Sequence, residues 1–374
     1  MRGLFQALAL VLAVSPCALA QERVGFDSSR WKVLDPGGRF MPYLGRPSLY
    51  LERGIAIVPD ATFVDGTIEF DIAMHGNAGF AGVLFRGQTP DDYELIYLRT
   101  HRSRQWDALQ YTPLFNGQEA WQLYTGKGYN GVAEFPVNRW VHVRVIVEGY
   151  SARVYVDGAT EPQLTVTDLK RPWVRGYIGL WGRAGAANFS DVKISAVTGT
   201  TPSRPVASPP RGIISRWSLS PAFDAATVSR ERLPDAQVAS PEEWKTVTSE
   251  ASGIVNIAQH RRKIAVARTR EDIPQDLVFA KTTLFSETAQ RVRLSFGYSD
   301  DVTIFLNGRP LFFGKASYLE RDGSYLGTLT FDDDAVFLEL AAGQNELVFA
   351  VADIFGGWGL AARIDPSASV TLQR

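Results

Sequence analysis

Apolar and polar residues alternate along several short stretches of this chain, and helical periodicity is almost absent. Thr67-Ile68-Glu69-Phe70-Asp71-Ile72 is one such stretch. It predicts a strand covered on one face, because successive side chains of a strand point to opposite sides. Ala81 to Phe85 is more continuously apolar, and Tyr93 to Arg99 follows after a turn built on Gln88-Thr89-Pro90-Asp91-Asp92. Trp140 to Val147 alternates again. Glu148-Gly149-Tyr150-Ser151 then turns the chain into Ala152 to Val156, which ends at Asp157-Gly158, a strong hairpin signal. Tyr177 to Trp181 and Phe189 to Ile194 close this half of the chain.

The second half repeats the theme. Ser240-Pro241-Glu242-Glu243 offers a cap, a first-turn proline and first-turn acids, so a short helix is predicted between Leu233 and Trp244. Strands are predicted from Lys263 onward. Val302 to Leu306 runs into Asn307-Gly308 and returns as Leu311-Phe312-Phe313, and Glu346 to Val351 is a further strand. Between the halves, residues 198–212 read TGTTPSRPVASPPRG. Their prolines favour an extended spacer over a packed core. The fold class expected is therefore all-β, with two antiparallel β-sandwiches (jelly rolls), at 21–197 and 213–374, joined by a Pro-rich linker at 198–212.

The first residues change this picture only by subtraction. Arg2, the apolar run Leu4 to Val14, Pro16 and Ala18-Leu19-Ala20 have the layout of a cleaved export signal. The run is too short to span a bilayer as a helix. Residues 1–20 are expected to be removed, which places the mature protein outside the cytoplasm, in the periplasm or the medium. Cys17 is the single cysteine and lies within this segment. Ser15-Pro16 ahead of it matches a lipidation site poorly. No disulfide is then expected, and stability must come from the cores.

Charge excludes some partners. The formal net charge is −1, with no basic block, so nothing points to nucleic acid or to an anionic membrane surface. No later stretch reads as a membrane span. The 9 Trp, 13 Tyr, 21 Phe and 33 Gly suit twisted sheets with tight turns and equally suit sugar-binding surfaces.

Two groups of segments carry a resemblance. NRWVHVRVIVEGYSARVYVDG (138–158) and GYIGLWGRAGAANFSDVKI (176–194) resemble the closing strands of concanavalin A-like lectin/glucanase sandwiches, the laminin-G-like jelly rolls. DGTIEFDI and GVLFRGQTPDDYELIYLRTH resemble the bacterial branch of 3-keto-disaccharide hydrolase-like or family 16 glycoside hydrolase-like domains. VTIFLNGRPLFFG, LAAGQNELVFAVAD and FGGWGLAAR resemble the galactose-binding-like jelly roll appended to many glycosidases and esterases. These resemblances imply fold more than activity, since such strands serve lectins, enzymes and adhesion modules alike. They imply a carbohydrate partner and leave room for a structural Ca²⁺.

Catalytic candidates are few. Glucanases of this fold carry Glu-x-Asp-x-x-Glu on one strand, and Glu69 and Asp71 match its start. Met74 stands where the final acid belongs, and a thioether cannot protonate a leaving oxygen. The keto-sugar resemblance points instead to Arg86, Glu94, Tyr97 and His101. The period-two rule puts Tyr97, Arg99 and His101 on one side of their strand and Glu94 on the other. His75, His101, His142 and His260 have no metal-ligand spacing. No G-x-S-x-G elbow or phosphate-binding glycine motif occurs, and Asp332-Asp333-Asp334 reads as a solvated turn.

Binding is the better-supported expectation. A sugar ring stacks an apolar face on Trp or Tyr and presents hydroxyls to charged or amide groups. Residues 97–124 are rich in both kinds, and part of the stretch must be loop. The expected ligand contacts are Arg86, Tyr97, Arg99, His101, Trp106, Tyr111, Trp121 and Tyr124. Trp140, Trp173, Trp181 and Trp358 are expected to be structural. The reading is a non-catalytic carbohydrate-binding protein without cofactor. Its alternatives are a glycoside hydrolase using Glu69, Asp71, Glu94 or His101, and a laminin-G-like adhesion module.

Overall fold

The computed structural model describes residues 21–76, 78–197, 202–204, 207–233, 241–267, 269 and 273–372. The segment with the export-signal pattern, Cys17 included, lies outside them. Among the described residues the regular secondary structure is almost all antiparallel strand, arranged as two sandwiches of two sheets each.

In the first sandwich one sheet runs in the order Leu164–Val166, Ser151–Val156, Val141–Glu148, Asp65–Met74, Ala187–Val197, Arg46–Leu51 and Arg39–Tyr43, with Glu22–Arg23 also on Ala187–Val197. The facing sheet runs Gln118–Glu119, Leu109–Phe115, Asp92–Arg99, Phe80–Thr89, Gly176–Arg183, Gly54–Phe63 and Lys32–Val33. Alternation sets the interior: Val141, Val143, Val145 and Val147 point inward, while His142 and Arg144 point out. Ile68, Phe70 and Ile72 meet Val83, Phe85, Ile96 and Leu98 in one continuous core.

The second sandwich sets the sheet through Lys245–Thr248, Arg216–Leu219, Asp276–Ser286, Gly343–Asp353, Asp301–Leu306 and Arg309–Lys315 against Val255–Asn256, Gly359–Ile364, Gln290–Ser299 and Asp334–Leu340. Asn307-Gly308 makes the expected hairpin, with both residues at positive φ and Leu306 paired to Arg309. Trp358 is a core residue, its indole N–H donating to the Val351 carbonyl at 3.2 Å.

One local expectation changes. No strand begins at Lys263; among the described residues the next one is Asp276–Ser286. The amides of Ile264 and Ala265 donate to the Asp276 carboxylate, at 2.6 and 3.0 Å, and so are lost to any ladder. Of the short helix expected between Leu233 and Trp244, the described part is one 3₁₀ turn, Pro241–Glu243; residues 234–240 lie outside the described set.

The sandwiches are joined through the excursion after Leu109–Phe115. Asn116 donates to the Ala258 carbonyl at 2.8 Å, the Gln122 amide to the Gly356 carbonyl at 3.0 Å, and the Leu329 amide to the Gln122 carbonyl at 2.8 Å. Ala120, Leu123 and Tyr124 form one apolar cluster with Leu329 and Ala361 of the second sandwich. Below it Lys170, almost fully buried, pairs with Asp168 and with Glu250 (2.6 Å), and Tyr124 donates to the same Glu250. In the described part of the Pro-rich segment, Arg204 donates to the Leu169 carbonyl at 2.7 Å.

Candidate functional site

The outer face of the sheet containing Asp92–Arg99 is apolar, although it points away from the sandwich core. Tyr93, Leu95 and Tyr97 project from it, as do Leu84, Trp181, Ile55 and Ile57 from neighbouring strands. Register brings Tyr97, Gly82 and Trp181 into one row across three strands. Gly82 matters here: a Cβ on it would sit 2.1 Å from the Ile96 carbonyl oxygen. With no side chain between them, the Tyr97 and Trp181 rings meet at a centroid distance of 5.4 Å. Phe80, paired with Arg99 and Arg183 in the next row, packs edge-on against Tyr97 at 5.9 Å and His101 at 5.1 Å.

This aromatic floor lies under a cavity of about 330 Å³. Trp121, from the excursion between the sandwiches, forms one wall. Tyr318 and Phe355 of the second sandwich complete it, 6.1 and 6.3 Å from the Trp121 ring. The polar groups are Arg99, His101, Gln110, Glu119 and Arg183. Tyr97 donates to Gln110 at 2.8 Å, and Arg99 is held by Asp107 at 2.6 Å. Burial lowers the His101 pKa, and the Arg99 and Arg102 guanidiniums lower it further, so the ring is neutral at pH 7. Burial raises the Glu119 carboxyl above its ordinary range, against the opposing pull of its partner Arg183.

Of the residues expected from sequence, Tyr97, Arg99, His101 and Trp121 come together in this cavity. The others stand elsewhere. Tyr111 and Tyr124 are sealed, the first in the sandwich core and the second between the sandwiches, which leaves no surface for a ligand. Arg86 is fully buried because a bulge after Phe85 turns it inward. There its Nε donates to the Val64 carbonyl at 2.9 Å and its guanidinium pairs with Asp65. Trp106 is 45% exposed but stands apart from the cavity. Glu94 has the inward parity and accepts from the Tyr111 hydroxyl (2.6 Å) and the Arg171 amide (2.9 Å). Burial raises its pKa in that sealed position. Glu69 and Asp71 lie on the opposite sheet, where Asp71 is bound by Arg46 and by His142 Nδ1 at 2.8 Å.

Sequence reasoning missed Phe80, Glu119, Trp181, Arg183, Tyr318 and Phe355. Trp181, expected to be structural, is buried, yet on the outer face. A signal existed for part of this set, since Tyr97 and Trp181 flank a strand with glycine at the facing position. Among the described residues no group of three or more His, Cys, Asp or Glu is placed to hold a metal. Nor is any helix among them long and apolar enough to cross a membrane. Asp334, of the acidic run, pairs with Arg321, and Asp333 is pushed up to about 6 by burial.

The second-sandwich wall hangs on Asp300. Its carboxylate accepts from the amides of Ile354 (2.7 Å) and Phe355 (3.1 Å), and its carbonyl from Ala316 (2.7 Å), two residues before Tyr318. Burial, then the adjacent Asp353, raise its pKa. A carboxyl with a raised folded pKa binds its proton more tightly folded than unfolded, so stability falls as pH climbs above the unfolded value near 4. Relative to the wild type, Asp300→Asn is therefore expected to gain stability progressively above about pH 4. Denaturant midpoints of both proteins across pH 4–9 check this; a constant difference would refute it.

Residues 52–195 match the family described as the 3-keto-alpha-glucoside-1,2-lyase-like domain. The first sandwich is thus a lectin/glucanase-like jelly roll, as its closing strands indicated, and its domain is carbohydrate-related. No curated protein matches the sequence. Among solved structures, the carbohydrate-binding module CBM66 from Bacillus subtilis is 19% identical, with 44% of this chain and 96% of that one covered at a TM-score of 0.34. A GH43 protein, BlXynB, from Bacillus licheniformis is 11% identical, covering 46% and 40% at 0.30. A galectin from Caenorhabditis elegans is 13% identical, covering 43% and 99% at 0.28.

Proposed function

We propose that this chain, with its lectin/glucanase-like first sandwich, is an exported carbohydrate-binding protein. Its ligand site is the cavity between the Tyr97–Trp181 face and the Tyr318–Phe355 wall. The observation that carries this reading is the row of rings meeting over Gly82 with Gln110, Arg99, His101 and Glu119 around it. Rings accept the apolar face of a sugar, and the surrounding donors and acceptors answer its hydroxyls. A cavity of about 330 Å³ lies at the small end of ordinary ligand sites, roughly 300–1,000 Å³.

Hydrolysis by paired carboxylates is not favoured. Glycosidases of that kind need two acids flanking the scissile bond, and among the described residues Glu119 is the one carboxylate lining this cavity. A second reading rests on that same residue. A raised carboxyl in the same cavity as a His101 of lowered pKa suits proton abstraction next to a sugar carbonyl, which needs one base. The family description of residues 52–195 agrees with it.

The test is a glycan-array screen on the mature chain, followed by product analysis of every hit, both repeated with Glu119→Gln. Intact ligand after prolonged incubation supports recognition. Unsaturated or cleaved product that disappears in E119Q replaces it with the lyase reading. No binding at all would point to a protein partner. Phe355→Ala should weaken any hit about fivefold, from roughly 1 kcal/mol of lost ring contact; unaltered affinity by calorimetry would remove the second sandwich from the site.

A further inference from the structure

The aromatic cavity is not closed on the side of the Glu119–Arg183 ion pair. Beyond that pair the same sheet face continues into a second depression of about 420 Å³, lined by Arg53, Pro90, Asp91, Tyr93 and Gly117. The two hollows share Glu119, Trp181, Arg183 and Ala184. Trp181 therefore serves as floor to both, and the ion pair stands between them as a low bar. The bar is built asymmetrically. The Glu119 side chain is 17% exposed and the Arg183 side chain 52%. The acid is held in place while the guanidinium reaches over open surface.

We infer that the two hollows form one groove, so that the ligand is an oligosaccharide lying across the Glu119–Arg183 bar rather than a single terminal sugar. This rests on the carbohydrate reading above and adds a length and a direction to it. The chemistry of the halves differs in the way a chain would require. The first half supplies the rings of Phe80, Tyr97, Trp121 and Trp181 to grip one sugar face. The second is more polar: Arg53 and Asp91 line it together with Tyr93 and can meet hydroxyls of the next units. Asp91 is already paired with Arg262 of the second sandwich at 3.1 Å, which ties the far end of the groove to that sandwich as well. At the bar, Arg183 can donate to a glycosidic or ring oxygen and Glu119 can accept from a hydroxyl, so the crossing itself is a contact.

The experiment uses the mature chain and ladders of cello-, laminari- and manno-oligosaccharides from one to six units, measured by calorimetry. Saturation-transfer NMR on the longest binder adds a second readout. The expected result is an affinity that climbs about tenfold between the single sugar and the trisaccharide and then levels off, with transfer into at least two consecutive rings. Arg53 is exposed and its side chain is uninvolved in the core, so Arg53→Ala should fold normally and flatten the climb. An affinity independent of length, with transfer confined to a terminal ring, would overturn the groove and leave the carbohydrate reading standing. Failure of every ladder to bind would overturn both.

Discussion

Replacing Trp181 by alanine is expected to lower affinity for the ligand by at least about 30-fold, the largest effect of any single change at the site. Position sets the size of this loss. Trp181 meets Tyr97 across Gly82, lines the aromatic cavity and forms the shared floor of the hollow beyond the ion pair. Central, desolvated aromatic anchors carry most of the energy in recognition sites, typically about 2 kcal/mol or more each, which corresponds to roughly 30-fold in affinity. Trp181 belongs to the outer apolar cluster and not to the sandwich interior, so the alanine variant should retain its fold while losing some stability. Trp181→Phe keeps an aromatic surface over Gly82 and should recover part of the affinity. Calorimetric titration of both variants decides the matter. A W181A protein that binds within threefold of the wild type would place the ligand somewhere else.

Lys170→Met should be the most damaging change to stability outside the apolar cores, costing about 3 kcal/mol. Its ammonium group is buried and pairs with Asp168 and Glu250, and it lies 4.5 Å from the Tyr124 ring centroid. Methionine has similar bulk but leaves Glu250 facing the Tyr124 hydroxyl with no cation, and removing one partner of a buried pair is strongly destabilising. Because Lys170 belongs to the first sandwich and Glu250 to the second, the loss should fall on the junction. Unfolding in denaturant should broaden or divide into two transitions. Opposing carboxylates outweigh the burial of Lys170 and raise its pKa. Its contribution is then complete below the unfolded value near 10.4 and is lost only as pH rises through the higher folded one. The deficit of the variant should therefore be constant from pH 6 to 9. It should also persist in 1 M salt, since buried pairs are poorly screened. A variant as stable as the wild type would show that the pair does not hold the junction.

Part of the candidate site is legible in the sequence, and the places its residues take in the fold show why the rest is not. Tyr97 and Arg99 share a parity, and that parity brings both into one cavity, whereas His101 reaches it from the 3₁₀ turn Thr100–Arg102 beyond the strand end, where period two no longer applies. The same rule assigns Glu94 to the other face, where it is sealed beneath Tyr111. Arg86, expected at the ligand, is buried instead because a bulge after Phe85 turns it inward, and nothing in the local pattern marks that bulge. Tyr111 and Tyr124 are aromatic and near a loop, yet composition cannot distinguish a ring that caps a core from one that faces a ligand. Trp181 departs from expectation for the converse reason. Its strand is buried on both faces, and a buried aromatic on such a strand can belong to either.

What the sequence determined by itself is the local part: strands from alternating residues, and reversals at Pro90-Asp91, Gly149-Tyr150 and Asn307-Gly308. These follow from backbone preferences and period-two patterning within a few residues. The all-β class follows from them. Tertiary structure decided which sheet face would become a site. Asp92–Arg99 is apolar on both sides, with Ile96 and Leu98 turned to the core and Tyr93, Leu95 and Tyr97 to the outside. Period two says which residues share a side but not which side the partner sheet covers. The register that sets Trp181 opposite Gly82, the wedge that carries Trp121 into the second sandwich, and the Asp300 tether that positions Phe355 all join residues far apart in the chain. Such pairings depend on the packing of whole sheets, which no short window of sequence contains.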